Sequence, residues 1–198
     1  RVIITEESDW IGGQLTSQAV PPDEHRWIEQ YGCTHSYRTY RNAVRDYYRV
    51  HYPLTDAART RTDLNPGNAT VSRLAHEPLV SLAVLRAMLA PYLANGQLIL
   101  LLKHVPQEAT TAGDDVTSVT VRDLGSESRK TVVAKYYLDA TELGDLLPLT
   151  KTEFVTGAES QAQTGEAHAA AEYRPQNSQA FTFCFAMDYL EGEDHTIN

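Results

Sequence analysis

A short β-branched run that ends on acidic side chains constrains this chain more than any other feature. Val2-Ile3-Ile4-Thr5 leads straight into Glu6-Glu7-Ser8-Asp9, and Gly12-Gly13 follows. The run reads as a strand, and specifically as a central strand of a sheet, because nothing polar interrupts it before the acidic stop. In a dinucleotide-binding βαβ unit, an acidic side chain closing the second strand accepts hydrogen bonds from ribose hydroxyls, since one ionised carboxylate takes both. Glu6 occupies that place. The two glycines beyond it let backbone approach a phosphate without a β-carbon in the way. Taken by itself, the same pattern also describes a helix N-cap or an exposed strand end.

The rest of the chain supplies the partners for such a strand. Pro21-Pro22 to Gly32 is irregular and reads as a long surface connection anchored by Trp27, Ile28 and Tyr31. A helix starts near Ser36, where Tyr37, Tyr40, Val44, Tyr47, Tyr48 and His51 recur at three- and four-residue steps. The arginines at 38, 41, 45 and 49 fall on its other faces and read as a solvated surface, and Pro53 ends it. After the Asn65-Pro66-Gly67 loop, a second helix carries Pro78 in its first turn. Its apolar stripe, from Leu79 to Tyr92, is wide enough to predict that most of the helix is covered. Asn95-Gly96 stops it, and Gln97 to Leu102 has the continuous apolar character of a parallel strand. Val116–Arg122 and Lys130–Lys135 alternate as a hairpin. Tyr136 to Asp139 reads as a further buried strand, followed by a short helix over Leu143–Leu147. Gly157 to Pro175 reads as a solvated loop or a loosely packed helix, and Phe181–Phe185 as a last strand. The order strand, helices, strand, hairpin, strand predicts an α/β fold with a parallel sheet and a small antiparallel insertion.

Composition narrows the function classes. With 17 basic against 26 acidic residues the formal charge is −9, which opposes phosphate backbones and anionic lipid, so neither nucleic acid nor membrane is expected as a partner. The apolar run Leu98–Leu102 is far short of the roughly 20 residues that span a bilayer. Cys33 and Cys184 lie far apart and in no metal-ligand spacing, which favours a reducing, cytoplasmic setting. Asp23, His25, Cys33 and His35 match no zinc pattern, and no metal is expected. The expected partner is a small-molecule substrate; oligomeric state is not encoded in any pattern.

With its flanks, the stretch Glu6 to Gln18, EESDWIGGQLTSQ, resembles the E-x(5)-GG element of two-dinucleotide-binding-domain flavoproteins, and specifically the FAD-dependent oxidoreductase family. The likeness extends through GCTHSYRTYRNAVRDYY, NPGNATVSRLAHEP, YYLDATELGDLLPL and VTGAESQAQTGEAHA, nearly the whole chain. It implies FAD on a Rossmann-like domain, with Glu6 at the adenosine ribose and Gly12, Gly13 and Gln14 near the pyrophosphate or ribityl chain. It also implies that the backbone of Val105, at the end of the third strand, faces the adenine. Asp139-Ala140-Thr141-Glu142 resembles the Ala-Thr-Gly strand-to-loop element of these proteins, with Glu142 where glycine is usual. Ala140 and Thr141 would then turn under the ADP half, Gly144 would give the close backbone approach, and Asp145 would reach the ribityl hydroxyls. Asp139 and Asp145 read equally as strand-end and helix-cap carboxylates.

The glycine-rich turn of such domains lies roughly 20 residues before the ribose-binding acid, whereas five residues precede Glu6 here. Residues 1–150 are therefore expected to form a partial FAD-binding domain, and 151–198 the start of a substrate or cap region. On that reading Val2–Thr5 presents an apolar edge, and residues 1–198 alone bind FAD weakly and are inactive. The expected activity is flavin-mediated hydride or two-electron transfer on a small molecule, with no side chain marked as a catalytic acid or base. The alternative is a cofactor-free interaction module on a degenerate Rossmann core.

Overall fold

The computed structural model describes residues 1–185 and 190–196. They form two compact units, one comprising 1–4, 8–100, 183–185 and 190–196 and the other 5–7 and 101–182.

The first unit is organised by two long helices, α1 (His35–His51) and α3 (Pro78–Ala94), with a short α2 (Asp56–Thr60) in the connection. Thr34 caps α1 by accepting a hydrogen bond from the Tyr37 amide at 3.2 Å. Its end falls at Tyr52, whose extended backbone (φ −114°, ψ 146°) is what the following proline demands. Tyr40, Val44 and Tyr48 from α1 interlock with Val80 and Val84 from α3 and with Leu64 and Leu74 from the loop between them. Val80, Ser81, Leu82 and Val84 of α3 are buried, and Leu85 and Met88 pack against the same core. Leu79 at the start and Tyr92 near the end are 61% and 53% exposed, so the coverage predicted along the whole helix fails at both ends. The apolar stripe records only that every position tolerates burial, not that something lies against each one.

Two further expectations fail within the first unit. Arg41 and Arg45 are buried, not solvated, for reasons given below. Of the three anchors assigned to the 21–32 connection, Ile28 is buried while Trp27 and Tyr31 stand exposed. The stretch 181–185 forms no strand, and Phe181, Phe183 and Phe185 are exposed; bulky aromatic content raises strand propensity but supplies no neighbouring strand to pair with.

β1 (Val2–Glu6) pairs in parallel with β2 (Leu98–Leu102) as a two-stranded sheet. Among the described residues β1 is therefore not the central strand expected from its apolar run, since it has one neighbour; Val2, Ile3 and Ile4 are exposed on it, as the apolar edge also expected of Val2–Thr5. The second unit is built on an antiparallel sheet in the order β3 (His104–Ala112), β4 (Asp115–Asp123), β5 (Arg129–Val132). The predicted hairpin is β4–β5, with Val121 opposite Lys130. β3 was not legible, because Pro106 and the run of polar residues after it break the alternation. Lys103, at φ 57°, turns the chain between β2 and β3.

Tyr136–Asp139 is extended but forms no strand, and Leu138 is 85% exposed. It is held instead by Tyr137, whose hydroxyl contacts the carbonyls of Thr117 and Val132 and the Ala134 amide, at 3.1, 3.1 and 2.9 Å. The short helix that follows, α4 (Leu146–Thr150), starts three residues later than predicted and packs against β3. Gly144 explains the delay, since its φ of +71° is incompatible with a helix running through it. In 157–175 the structure has a single-turn helix, α5 (Gln161–Thr164), closed by the isolated bridges Ala158–Arg174 and Ser160–Ala170.

Candidate functional site

Glu6 is the last residue of β1 and is half-buried. A strand end is where a sheet stops covering its own side chains, so a carboxylate there faces whatever lies beyond the sheet. In the second unit, with Glu6, lie Val105, Ala140, Thr141, Gly144 and Asp145; Gly12, Gly13 and Gln14 belong to the first.

The glycine turn is rigid. Gly12 (φ +116°) and Gly13 (φ 52°) both take left-handed backbone, and a 3-10 turn, Gly13–Leu15, follows. A β-carbon on Gly12 would lie 2.7 Å from Leu85 Cδ1 and 2.9 Å from Thr16 Cγ2. Thr16, almost wholly buried, locks the turn by donating to the Ile11 carbonyl at 2.7 Å. Glycine is thus required at 12 by packing as well as by conformation, while the residue itself remains exposed. The backbone there is open to a ligand, and no side chain of its own can cover it.

The second predicted element is a turn tied to Asp139. Its Oδ1 accepts from the Thr141 amide at 3.0 Å and hydroxyl at 2.8 Å, and its Oδ2 from the Leu146 amide at 2.9 Å. Thr141 Oγ1 in turn accepts from the Asp145 amide at 2.8 Å. Burial works to raise the Asp139 pKa, but these hydrogen bonds outweigh it and hold the carboxyl below its ordinary value. Asp139 is the helix-cap carboxylate of the two readings, bonding the first amide of α4, whereas the Asp145 side chain makes no capping bond. A β-carbon on Gly144 would lie 2.9 Å from Leu147 Cδ1. Val105 is not at a strand end: it is the second residue of β3, opposite Arg122.

What sequence reading missed is a buried polar network under the 21–32 connection. Arg41, fully buried, forks to Glu24 and Glu29. Arg45 donates to Glu29 at 2.6 Å and to the Leu64 carbonyl at 2.9 Å. Tyr37 donates to Glu24 at 2.5 Å. Burial favours neutral Glu29, yet the hydrogen bond and charge of Arg45, together with the charge of Arg41, prevail and lower its pKa. Burial and the neighbouring Glu24 carboxylate push the Tyr37 phenol well above its ordinary value, so it stays a donor. A second cluster joins Ser81, Tyr40 and His76: the Tyr40 hydroxyl meets Ser81 Oγ and lies 3.1 Å from His76 Nε2, and His76 Nδ1 lies 2.6 Å from the Leu74 carbonyl. Burial lowers the His76 pKa despite that carbonyl, which keeps the ring neutral with Nδ1–H donating and Nε2 accepting. The signal was present in the helical repeat, since 37, 41, 44, 45 and 48 share one face of α1. Arginines on the face that carries the core tyrosines must be buried with them.

Among the described residues no three His, Cys, Asp or Glu side chains gather into a metal-ligating group, and no helix is long and apolar enough to cross a membrane.

The parallel pair, the antiparallel sheet and the helices make this an α/β protein. A family model described as FAD dependent oxidoreductase matches residues 1–198, the whole chain, and the protein belongs to that family. Its cofactor is FAD. No curated protein and no solved structure matches the chain significantly. The residues present fit such a cofactor in their chemistry. A carboxylate at a strand end can accept hydrogen bonds from ribose hydroxyls, and the exposed backbone of Gly12, a position where no β-carbon fits, could lie against a phosphate or polyol chain.

Proposed function

We propose that the protein is a flavin-dependent oxidoreductase that transfers a hydride or an electron pair from a small-molecule substrate. In this reading Glu6 holds the adenosine ribose. The observation that carries it is the placement of Glu6 at the C-terminal end of β1, six positions before a turn in which Leu85 and Thr16 leave room for glycine alone at position 12. When bound, FAD supplies the two-electron chemistry. The chain's own residues bind and orient. Glu6 accepts both ribose hydroxyls. Gly12, Gly13 and Gln14 offer backbone to the pyrophosphate or ribityl chain. Ala140, Thr141 and Gly144 form the turn that Asp139 ties to α4, and Asp145 extends it.

The test is Glu6→Ala in the intact protein. Loss of a charged acceptor costs about 1.5–3 kcal/mol, so the FAD dissociation constant should rise by roughly 10- to 150-fold with an unchanged circular dichroism spectrum. An unchanged dissociation constant removes Glu6 from the site.

A further inference from the structure

The first unit carries a polar cleft of about 180 Å³ that the flavin reading does not use. Glu24, His25 and Arg26 form one wall, and Thr70, Ser72 and Arg73 the other. Its charge is unusual for so acidic a chain. Glu24 is committed to buried Arg41 and to Tyr37, whereas Arg26 and Arg73 have no carboxylate partner among the described residues. Two arginines without a carboxylate partner therefore line one opening.

Arg26 also has a neighbour that holds it. Its guanidinium carbon lies 4.3 Å from the centre of the Trp27 ring, a cation–π contact that leaves its charge without a counter-ion among the described residues. Trp27 is itself stacked on Tyr31, with 6.2 Å between centroids and 17° between planes. His25 does not compete for an oxyanion, because Nδ1 accepts from the Trp27 amide at 3.2 Å and Nε2 faces the Gly32 carbonyl at 3.3 Å.

The opposite wall is equally fixed. The Asn65 side chain donates to the Ala69 and Ser72 carbonyls at 3.0 and 2.9 Å and accepts from the Ala75 amide at 2.7 Å. Buried Arg45 reaches the Arg73 carbonyl at 3.4 Å. Both arginines thus project from backbone that is already held, which reduces the ordering a ligand must impose. At 180 Å³ the cleft is smaller than the roughly 300 Å³ at which drug-sized pockets begin, so it suits an anionic head group and not a dinucleotide.

We propose that this cleft binds a small oxyanion, carboxylate or phosphate, between Arg26 and Arg73. Two oxygens on one centre, in a carboxylate or a phosphate, match the guanidinium fork. The inference stands apart from the placement of FAD.

Isothermal titration of the intact, flavin-loaded protein with succinate and, separately, with inorganic phosphate tests it, alongside Arg26→Gln and Arg73→Gln. Both arginines are exposed at their side chains, so the variants should keep the wild-type thermal transition. Saturable, salt-sensitive binding of either anion, weakened at least tenfold by each substitution with FAD content unchanged, supports the site. The better-bound anion then identifies the head group. No saturable binding of either anion, or binding indifferent to both substitutions, overturns it. Loss of FAD along with the anion would assign the cleft to the cofactor and equally end the proposal of a separate site.

Discussion

Replacing Arg41 by methionine should be among the most damaging single changes in the first unit, although no ligand need touch it. Arg41 is fully buried and forks to two carboxylates on the 21–32 connection. The two losses are unequal. Without Arg41, Glu29 still has Arg45 at 2.6 Å and Arg38 at 3.6 Å. Among the described residues Glu24 keeps only the Tyr37 hydroxyl at 2.5 Å and becomes a buried carboxylate without a cation. Removing one partner of a buried pair costs about 3–5 kcal/mol, and most of that should fall on Glu24.

Glu24→Gln in the same background removes the stranded charge, so the double variant should be much less destabilised than the sum of the two singles. A coupling of about 1–3 kcal/mol is expected for groups in such direct contact. Urea denaturation followed by Trp27 fluorescence in a Trp10→Phe background is the assay, since Trp27 sits on the segment that the network pins. Limited proteolysis would show whether that segment detaches first. If Arg41→Met stays within about 1 kcal/mol of wild type, below the range for a broken buried pair, or if the double variant is additive, the network does not pin the connection.

Acid should act on the same network. Glu29 has a folded pKa below its ordinary 4.5, so its stabilisation is complete above that value and is lost as pH falls through the depressed one. Urea midpoints measured downward from pH 5 should decline, and more shallowly in Glu29→Gln. Gly12→Ala combines left-handed strain with overlap on Leu85 and Thr16, a cost of about 2–5 kcal/mol. Gly96→Ala, at φ +71° with nothing within 4 Å, should lose only the strain, about 1–2 kcal/mol; equal losses in denaturant would show that packing does not hold the glycine turn. Asp139→Ala removes the cap of α4 and should cost about 1–2 kcal/mol, with faster amide exchange at Leu146; an unchanged exchange rate there would deny Asp139 that role.

The parts of the fold written in strong periodicity were legible. Both long helices, the parallel pair Val2–Glu6 and Leu98–Leu102, and the β4–β5 hairpin follow from apolar spacing and from the stops at Pro53 and Asn95-Gly96. What failed was anything that depended on a neighbour. Tyr136-Tyr137-Leu138 has strand composition, yet its backbone finds no strand, and one tyrosine hydroxyl holds it. Arg41 and Arg45 have surface composition, yet Glu24 and Glu29, more than ten residues earlier in the chain, arrive to neutralise them. Burial of charge is a tertiary event, and the spacing of one helix records only half of it. The candidate site divides in the same way. The strand end at Glu6 and the turn at Gly12-Gly13 were readable because both are local properties. Which of its two readings Asp139 takes, and where Val105 falls along its strand, were not, because they depend on where α4 begins and on which strand β3 pairs with.

The most direct test of the central claim is the flavin content of the intact protein, purified without added cofactor. Visible flavin absorbance with one releasable FAD per chain, diminished in Glu6→Ala and restored by added FAD only at higher concentration, is the predicted result. A colourless protein that takes up no added FAD would contradict the account and leave the fold without the chemistry assigned to it.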